Sequence, residues 1–239
     1  MVAETSSLTN TFLALALGLL PSIIWLVFFL QEDRLRPEPR GLIIKVFLIG
    51  ALMIIPAFLF QKYLGPLMGI YDRSQYNFSL FLVFGGIEEI LKFLAAYFVV
   101  RKKKEFDEPI DAMVYMITAA LGFAAVEDIS SALTGVNQVG EFSTLPAVTL
   151  RFIGATLLHA LASGTVGYFW GKAMAKTKHH YLKLVLWGIA LATLLHATFN
   201  YLILKTGPAG WAILFLIFVA FFIFQDFEKL KHKTIESLQ

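Results

Sequence analysis

Seven apolar stretches follow one another along the chain, at about 9–30, 41–63, 78–100, 111–134, 147–171, 183–204 and 209–225. Each is close to the ~20 residues that cross a bilayer as a helix. They predict an all-α, polytopic transmembrane bundle of about seven helices, because lipid offers backbone N–H and C=O groups no partner outside a helix or a closed barrel. The connections are short and leave no room for a soluble domain, so residues 1–239 read as one integral-membrane domain with a core at about 78–204. No internal repeat stands out, which argues against transporter folds built from inverted repeats. The run from Leu13 to Leu30 lacks a basic segment before it and a clear small-residue cleavage site after it. It reads as a retained helix rather than a cleaved signal.

The charges between the stretches alternate. Arg34, Arg36 and Arg40 occupy the first connection, Arg101, Lys102, Lys103 and Lys104 the third, Lys172, Lys176, Lys178 and Lys183 the fifth, and Lys229, Lys231 and Lys233 the tail. The other connections carry little beyond Arg73, Arg151 and Lys205. The positive-inside bias then predicts an outer N-terminus and a cytoplasmic C-terminus in the cell membrane. Composition agrees: 58% of residues are hydrophobic and 15% charged, with a mean hydropathy of +0.71, against ~25% charged in an ordinary soluble domain. The net charge of +3 is accounted for by these topology signals and calls for no nucleic-acid partner. With no cysteine, disulfides, thiolate metal sites and a catalytic thiol are excluded.

A few polar residues interrupt the apolar stretches, and they carry the chemistry. Glu88, Glu89 and Lys92 lie in the third stretch, Glu127 and Asp128 in the fourth, His159 in the fifth and His196 in the sixth, with Asn200 one turn after His196. Counted from the outer end of each helix, Glu88 is about eleven residues deep, Glu127 about seven, His159 about twelve and His196 about nine, or roughly 10–18 Å at 1.5 Å per residue. Ionisable groups this deep are costly and mark functional sites. Their shared level predicts one buried site. A glutamate and two histidines suit a zinc ion with a position left for water, here Glu127, His159 and His196. Glu88 or Glu89 can then serve as general base, while Lys92, three and four residues on, can hold the charge of either. Asn200 reads as a hydrogen-bonding partner of the site and Asp128 as a supporting residue that can equally bond a neighbouring helix. Asp107 and Asp111 fall at a helix start and read as cap or interface residues. His179 and His180 read as a solvated pair in a connection. Gly85, Gly86, Gly122, Gly154, Ser163 and Ala197 flank the polar positions and allow close helix approach.

The sequence "EEILK" at 88–92 resembles the EExxK motif of the PrsW-type intramembrane proteases. "DAMVYMITAALGFAAVED" at 111–128 resembles their second motif, an Asp and a Tyr followed by GFAxxE; a single His in "LLHALASG" at 157–164 and the closing HxxxN of "HATFN" at 196–200 complete the order. The family is similar to the wider CAAX-type group of membrane proteases, with Phe123 and Glu127 standing where that group has FxxxH. Asp128 replaces a frequent Asn and Met116 a frequent Gly. The resemblance implies an intramembrane peptidase, metal-dependent, in which Glu88, Glu89, Glu127, His159, His196 and Asn200 act. It implies site-one cleavage of single-pass membrane proteins, such as anti-sigma factors, on the extracytoplasmic side. The alternatives are a CAAX-type mechanism without metal, a proton-coupled transporter using the same acids as a relay, and a non-catalytic membrane scaffold.

Overall fold

The computed structural model describes residues 2–33, 36–138, 145–174, 176–205 and 210–237. Arg34 and the expected start of the last apolar stretch at 209 lie outside them. Among the described residues the chain forms α1 (Val2–Leu30), a short 3-10 helix at Gln31–Asp33, α2 (Arg40–Leu52), α3 (Ile54–Leu67), α4 (Phe78–Val100), α5 (Pro109–Gln138), α6 (Leu145–Ala173), α7 (Lys178–Lys205) and α8 (Gly210–Ser237). The chain is an all-α, multi-pass membrane protein. The runs Arg40–Leu67, Pro109–Ser131, Lys178–Lys205 and Gly210–Lys231 are each long and apolar enough to cross a membrane. Helix α4 is of similar length but carries Glu88, Glu89 and Lys92 at its centre.

The second apolar stretch is two helices, α2 and α3, and the reason is local. Pro56 has no N–H to donate to the carbonyl of Leu52, so the ladder breaks at Leu52–Met53 and restarts with Ala57 N–H donating to Met53 O at 3.2 Å. Helix α3 ends at Gly69, whose φ of +72° suits a residue without a side chain. Asn77 then caps α4, its side chain accepting from Leu80 N–H at 3.0 Å. Pro109 occupies the first position of α5, where its missing N–H costs nothing. Asp111 reaches back to accept from the N–H of Asp107 at 3.0 Å and of Glu108 at 2.8 Å, one half of a capping box.

Helix α5 is the axis of the bundle. Every residue from Ile110 to Ala125 is buried, and α1, α2, α4, α6 and α8 all pack on it. Close approach depends on missing side chains. Where α2 crosses α5, a Cβ on Gly50 would strike the Ala119 carbonyl and one on Gly122 would strike the Phe47 carbonyl, as small-residue packing in membranes requires. The outer faces of α2, α3 and α8 expose Ile44, Leu48, Phe58, Phe218 and Phe221, a surface fit for lipid. Helix α7 packs on α4 and α6, and α3 on α4; these contacts bring the polar residues together.

Candidate active site

The polar residues of α4, α5, α6 and α7 meet at one level of the bundle. On α4, Lys92 lies one turn beyond both glutamates and its ammonium bonds Glu89 Oε1 at 2.8 Å and stands 3.5 Å from Glu88 Oε2. The same nitrogen is 2.7 Å from His159 Nδ1 and 4.6 Å from the centre of the Phe123 ring. Lys92 and Glu89 are fully buried, so each would be untenable without the other.

The two glutamates, adjacent in sequence, have different environments. Glu89 is saturated: besides Lys92 it accepts from Ser163 Oγ at 2.7 Å and pairs with His196 Nδ1 at 3.1 Å. Glu88 accepts at Oε1 from Gln61 Nε2 at 2.9 Å, while its Oε2 stands 3.5 Å from His196 Nε2. Because His196 Nδ1 donates to Glu89, its Nε2 presents a lone pair toward Glu88. A carboxylate fixing the far nitrogen of an imidazole is the usual support of a metal-ligating histidine. The His159 and His196 rings meet edge to face, centroids 5.1 Å apart. A Cβ on Gly85 would come within 3.3 Å of the His196 side chain, so the glycine lets α7 seat that ring against α4.

Glu127, on α5, brings Oε2 to 2.9 Å from His159 Nε2. The contact is an ion pair if His159 is charged, and this buried oxygen has no hydrogen-bond partner that meets ordinary geometry. The three groups whose ligand atoms converge within 4.8 Å of one another are Glu88, His159 and His196, with Glu127 standing beside them against His159. Asp128 is buried and accepts from Thr156 Oγ1 at 2.6 Å, a bond to α6 rather than to the imidazoles. Asn200 is half-buried one turn beyond His196, with no hydrogen bond from its side chain to any described residue. His179 and His180 are exposed.

Gln61 was not among the residues singled out from sequence, and Ser163 figured only as a small residue. A lone amide within the apolar run of α3 is the signal that could have found Gln61. It matters because Gln61 also lines a cleft of about 390 Å³ between α3, the 70–76 connection and α4, together with Phe58, Ile70, Asp72, Tyr76 and Phe84. The floor of this cleft is one hydrogen bond from Glu88. At its rim, hydrogen bonds from the hydroxyl and backbone N–H of Ser74 hold the Asp72 carboxyl below the usual carboxylate range, and Lys62 lines the same cleft.

A family model described as PrsW family intramembrane metalloprotease matches residues 38–225. The chain belongs to the PrsW family. It is 31% identical over 204 residues to Protease PrsW of Geobacillus kaustophilus, covering 84% of each chain. Against Protease PrsW of Bacillus subtilis it is 26% identical over 230 residues, 95% of this chain and 99% of the relative, and against that of Clostridioides difficile 28% identical over 207 residues, 84% and 82%. No solved structure matches the chain. It is therefore an enzyme, a membrane-embedded protease, as its motifs imply.

A PrsW metalloprotease calls for a metal, and the residues present fit one. Glu88, Glu89 and Glu127 against Lys92 leave two negative charges in excess, the charge of one divalent ion. Two imidazoles and an unpartnered carboxylate oxygen supply a zinc-type donor set. One contact opposes it. His159 can offer Nε2 to an ion only with its proton on Nδ1, where the Lys92 ammonium now donates. Lys92 thus competes with the ion for the tautomer of His159.

Proposed function

We propose that this PrsW protease is an endopeptidase that cuts single-pass membrane proteins, such as anti-sigma factors, near the outer leaflet. Glu127, His159 and His196 would hold one zinc ion and Glu88 would act as general base. The observation that carries this reading is the position of Glu88. Among the described residues it joins the cleft, through Gln61, to the two imidazoles, within 4.8 Å of both. A base for the attacking water has to stand within hydrogen-bond reach of that water, beside the ion's ligands.

When bound, the ion would supply Lewis acidity toward the scissile carbonyl and offset the local negative charge. The chain's own residues do the rest. Glu88 takes the proton of the attacking water and returns it to the leaving amine. Lys92 and Ser163 keep Glu89 in place, and Glu89 keeps His196 Nδ1 protonated. Gln61 holds Oε1 of Glu88, leaving Oε2 turned inward. Asn200, at the edge of the cluster, would bond the substrate backbone. A transmembrane substrate hides its carbonyls in its own helix; cutting is therefore expected near the outer end of the substrate, where a helix frays and the cleft receives it.

The test is a pair of isosteric variants assayed on a single-pass substrate in proteoliposomes. Glu88→Gln should keep its metal and lose cleavage; Glu127→Gln should lose both. The reverse pattern would exchange the two roles, and full cleavage by a Glu88→Gln, Glu89→Gln double variant would end the glutamate mechanism. The outer placement rests on the alternating basic connections, and single cysteines at positions 102 and 176, in a chain with no other, should label from the same side.

A further inference from the structure

Two residues of the second motif, Asp111 and Tyr115, take no part in the site above. Asp111 lies in the first turn of α5 and Tyr115 one turn later, both essentially inaccessible. Sixteen residues, or about 24 Å along α5, separate Asp111 from Glu127, so this is a different end of the molecule. The two side chains face the connection between α1 and α2. Tyr115 donates to Glu38 Oε2, and Asp33, at the end of the short 3-10 helix, completes the group. One carboxylate oxygen each from Asp33, Glu38 and Asp111 lies within 4.8 Å of the others.

Among the described residues the cluster has no cationic side chain paired with it. Its nearest described base, Arg36, is turned to Asp107 at 3.1 Å and to Glu108. Asp33 is 5% exposed, and its Oδ2 is buried without a hydrogen-bond partner. Burial first, then the charges of Asp111 and Glu108, push the Asp33 carboxyl up to about 7. Three crowded carboxylates, one with an orphan oxygen, form a set that a cation would satisfy. The donors are carboxylate oxygens with no imidazole among them, the set that selects hard ions over zinc. Asp111 is already oriented, because its Oδ2 is committed to the backbone of Asp107 and Glu108.

We propose that Asp33, Glu38 and Asp111 form a second cation site, for a hard divalent ion of the calcium or magnesium class, which ties the α1–α2 connection to the start of α5. The ion clamps the end of the buried helix whose other part carries Glu127. It is separate from the histidine-containing site in donor chemistry and in position.

Terbium(III), a luminescent stand-in for calcium, provides the probe. Full-length protein purified in detergent and stripped with EDTA is titrated with terbium under tyrosine excitation, and calcium and magnesium are then added as competitors. Saturable emission is expected, displaced by one of the two competitors at the lower concentration, which names the ion. Affinity should fall about 10–100-fold in Asp33→Asn and stay unchanged in His159→Ala. If Asp33→Asn does not fold, Glu38→Gln, at the less buried member, gives the same reading. Emission that is absent, that does not saturate, or that is equally strong in the carboxylate variants would overturn the site, as would emission lost only in His159→Ala. A rise in thermal stability of Asp33→Asn with no cation response in the unaltered protein would also overturn it, showing that a shared proton holds the cluster.

Discussion

The cluster around Lys92 and the cluster around Asp33 each draw one carboxylate from α5, Glu127 and Asp111, and meet the same difficulty, carboxylates removed from water, with different means. In the first, the chain supplies its own cation. Lys92 reaches Glu88, Glu89 and His159 at once, and two hydroxyl or imidazole donors complete Glu89. In the second, the nearby described arginine, Arg36, is spent on Asp107 and Glu108 and Asp33 keeps an oxygen without a partner. An internal lysine deep in the bundle makes the site viable before any ion arrives, at the cost of competing with that ion for His159. Near the end of the helix, where water and salt are close, the counter-charge can come from outside. The deep cluster thus suits chemistry and the shallow one suits a clamp.

The largest expected effect separates the two glutamates of the deep cluster. Loss of a general base lowers rate by ~10²–10⁴, so Glu88→Gln should cleave a single-pass substrate that much more slowly while melting like the unaltered protein. Glu89→Gln should instead melt earlier, since Glu89 ties Lys92, Ser163 and His196 together. Equal losses of rate with equal losses of stability would erase the distinction between the two.

Removing the internal cation is next. Breaking a buried ion pair from one side costs roughly 3–5 kcal/mol, so Lys92→Met should unfold in markedly less denaturant. Added zinc should restore part of that loss, because the ion would replace the lysine as counter-charge and no longer compete with it for His159. Undiminished stability without zinc would show that Lys92 does not hold the cluster together.

The shallow cluster should respond to pH. The Asp33 carboxyl titrates near 7 in the folded chain against an ordinary 3.8, so between these values the folded state holds the extra proton and stability falls as pH rises. The groups facing it are Glu38, Asp111 and Glu108, with Arg36 beyond. In EDTA the loss from pH 5 to pH 8 should be on the order of 2 kcal/mol, allowing for screening near the helix end. Asp33→Asn should lessen it and millimolar calcium or magnesium should relieve it. Thermal melts across that pH range in both conditions are the check, and a slope indifferent to both would break the contrast with the deep cluster.

The smallest effect concerns Asp128. Thr156→Val removes one of its hydrogen bonds and should cost about 1 kcal/mol with cleavage unchanged. A large loss of cleavage at full stability would bring Asp128 into the site.

Much of this was legible in the sequence, for reasons that also mark where legibility ends. Apolar runs of bilayer length foretold the helices because lipid permits little else, and α4 begins and ends at 78 and 100 as expected. The level shared by Glu88, Glu127, His159 and His196 followed from rise per residue, and the side chains do meet. The break at Leu52–Met53 could have been read from Pro56 but was masked by continuous hydrophobicity. What escaped was partnership across helices. Nothing in "EEILK" says that Ser163 and His196 would claim Glu89 and leave Glu88 to Gln61, since those contacts depend on helix rotation and crossing. Asp33 and Glu38 look like polar connection residues, and only the packing of that connection on α5 brings them to Asp111.

The most direct measurement is the zinc content of the purified protein beside its Glu88→Gln and His196→Ala variants, by elemental analysis after exhaustive dialysis in detergent. The expected values are one ion per chain, one and none, with cleavage present only in the first. Active protein that carries no transition metal, or zinc retained in full by His196→Ala, would contradict a histidine-held ion served by Glu88.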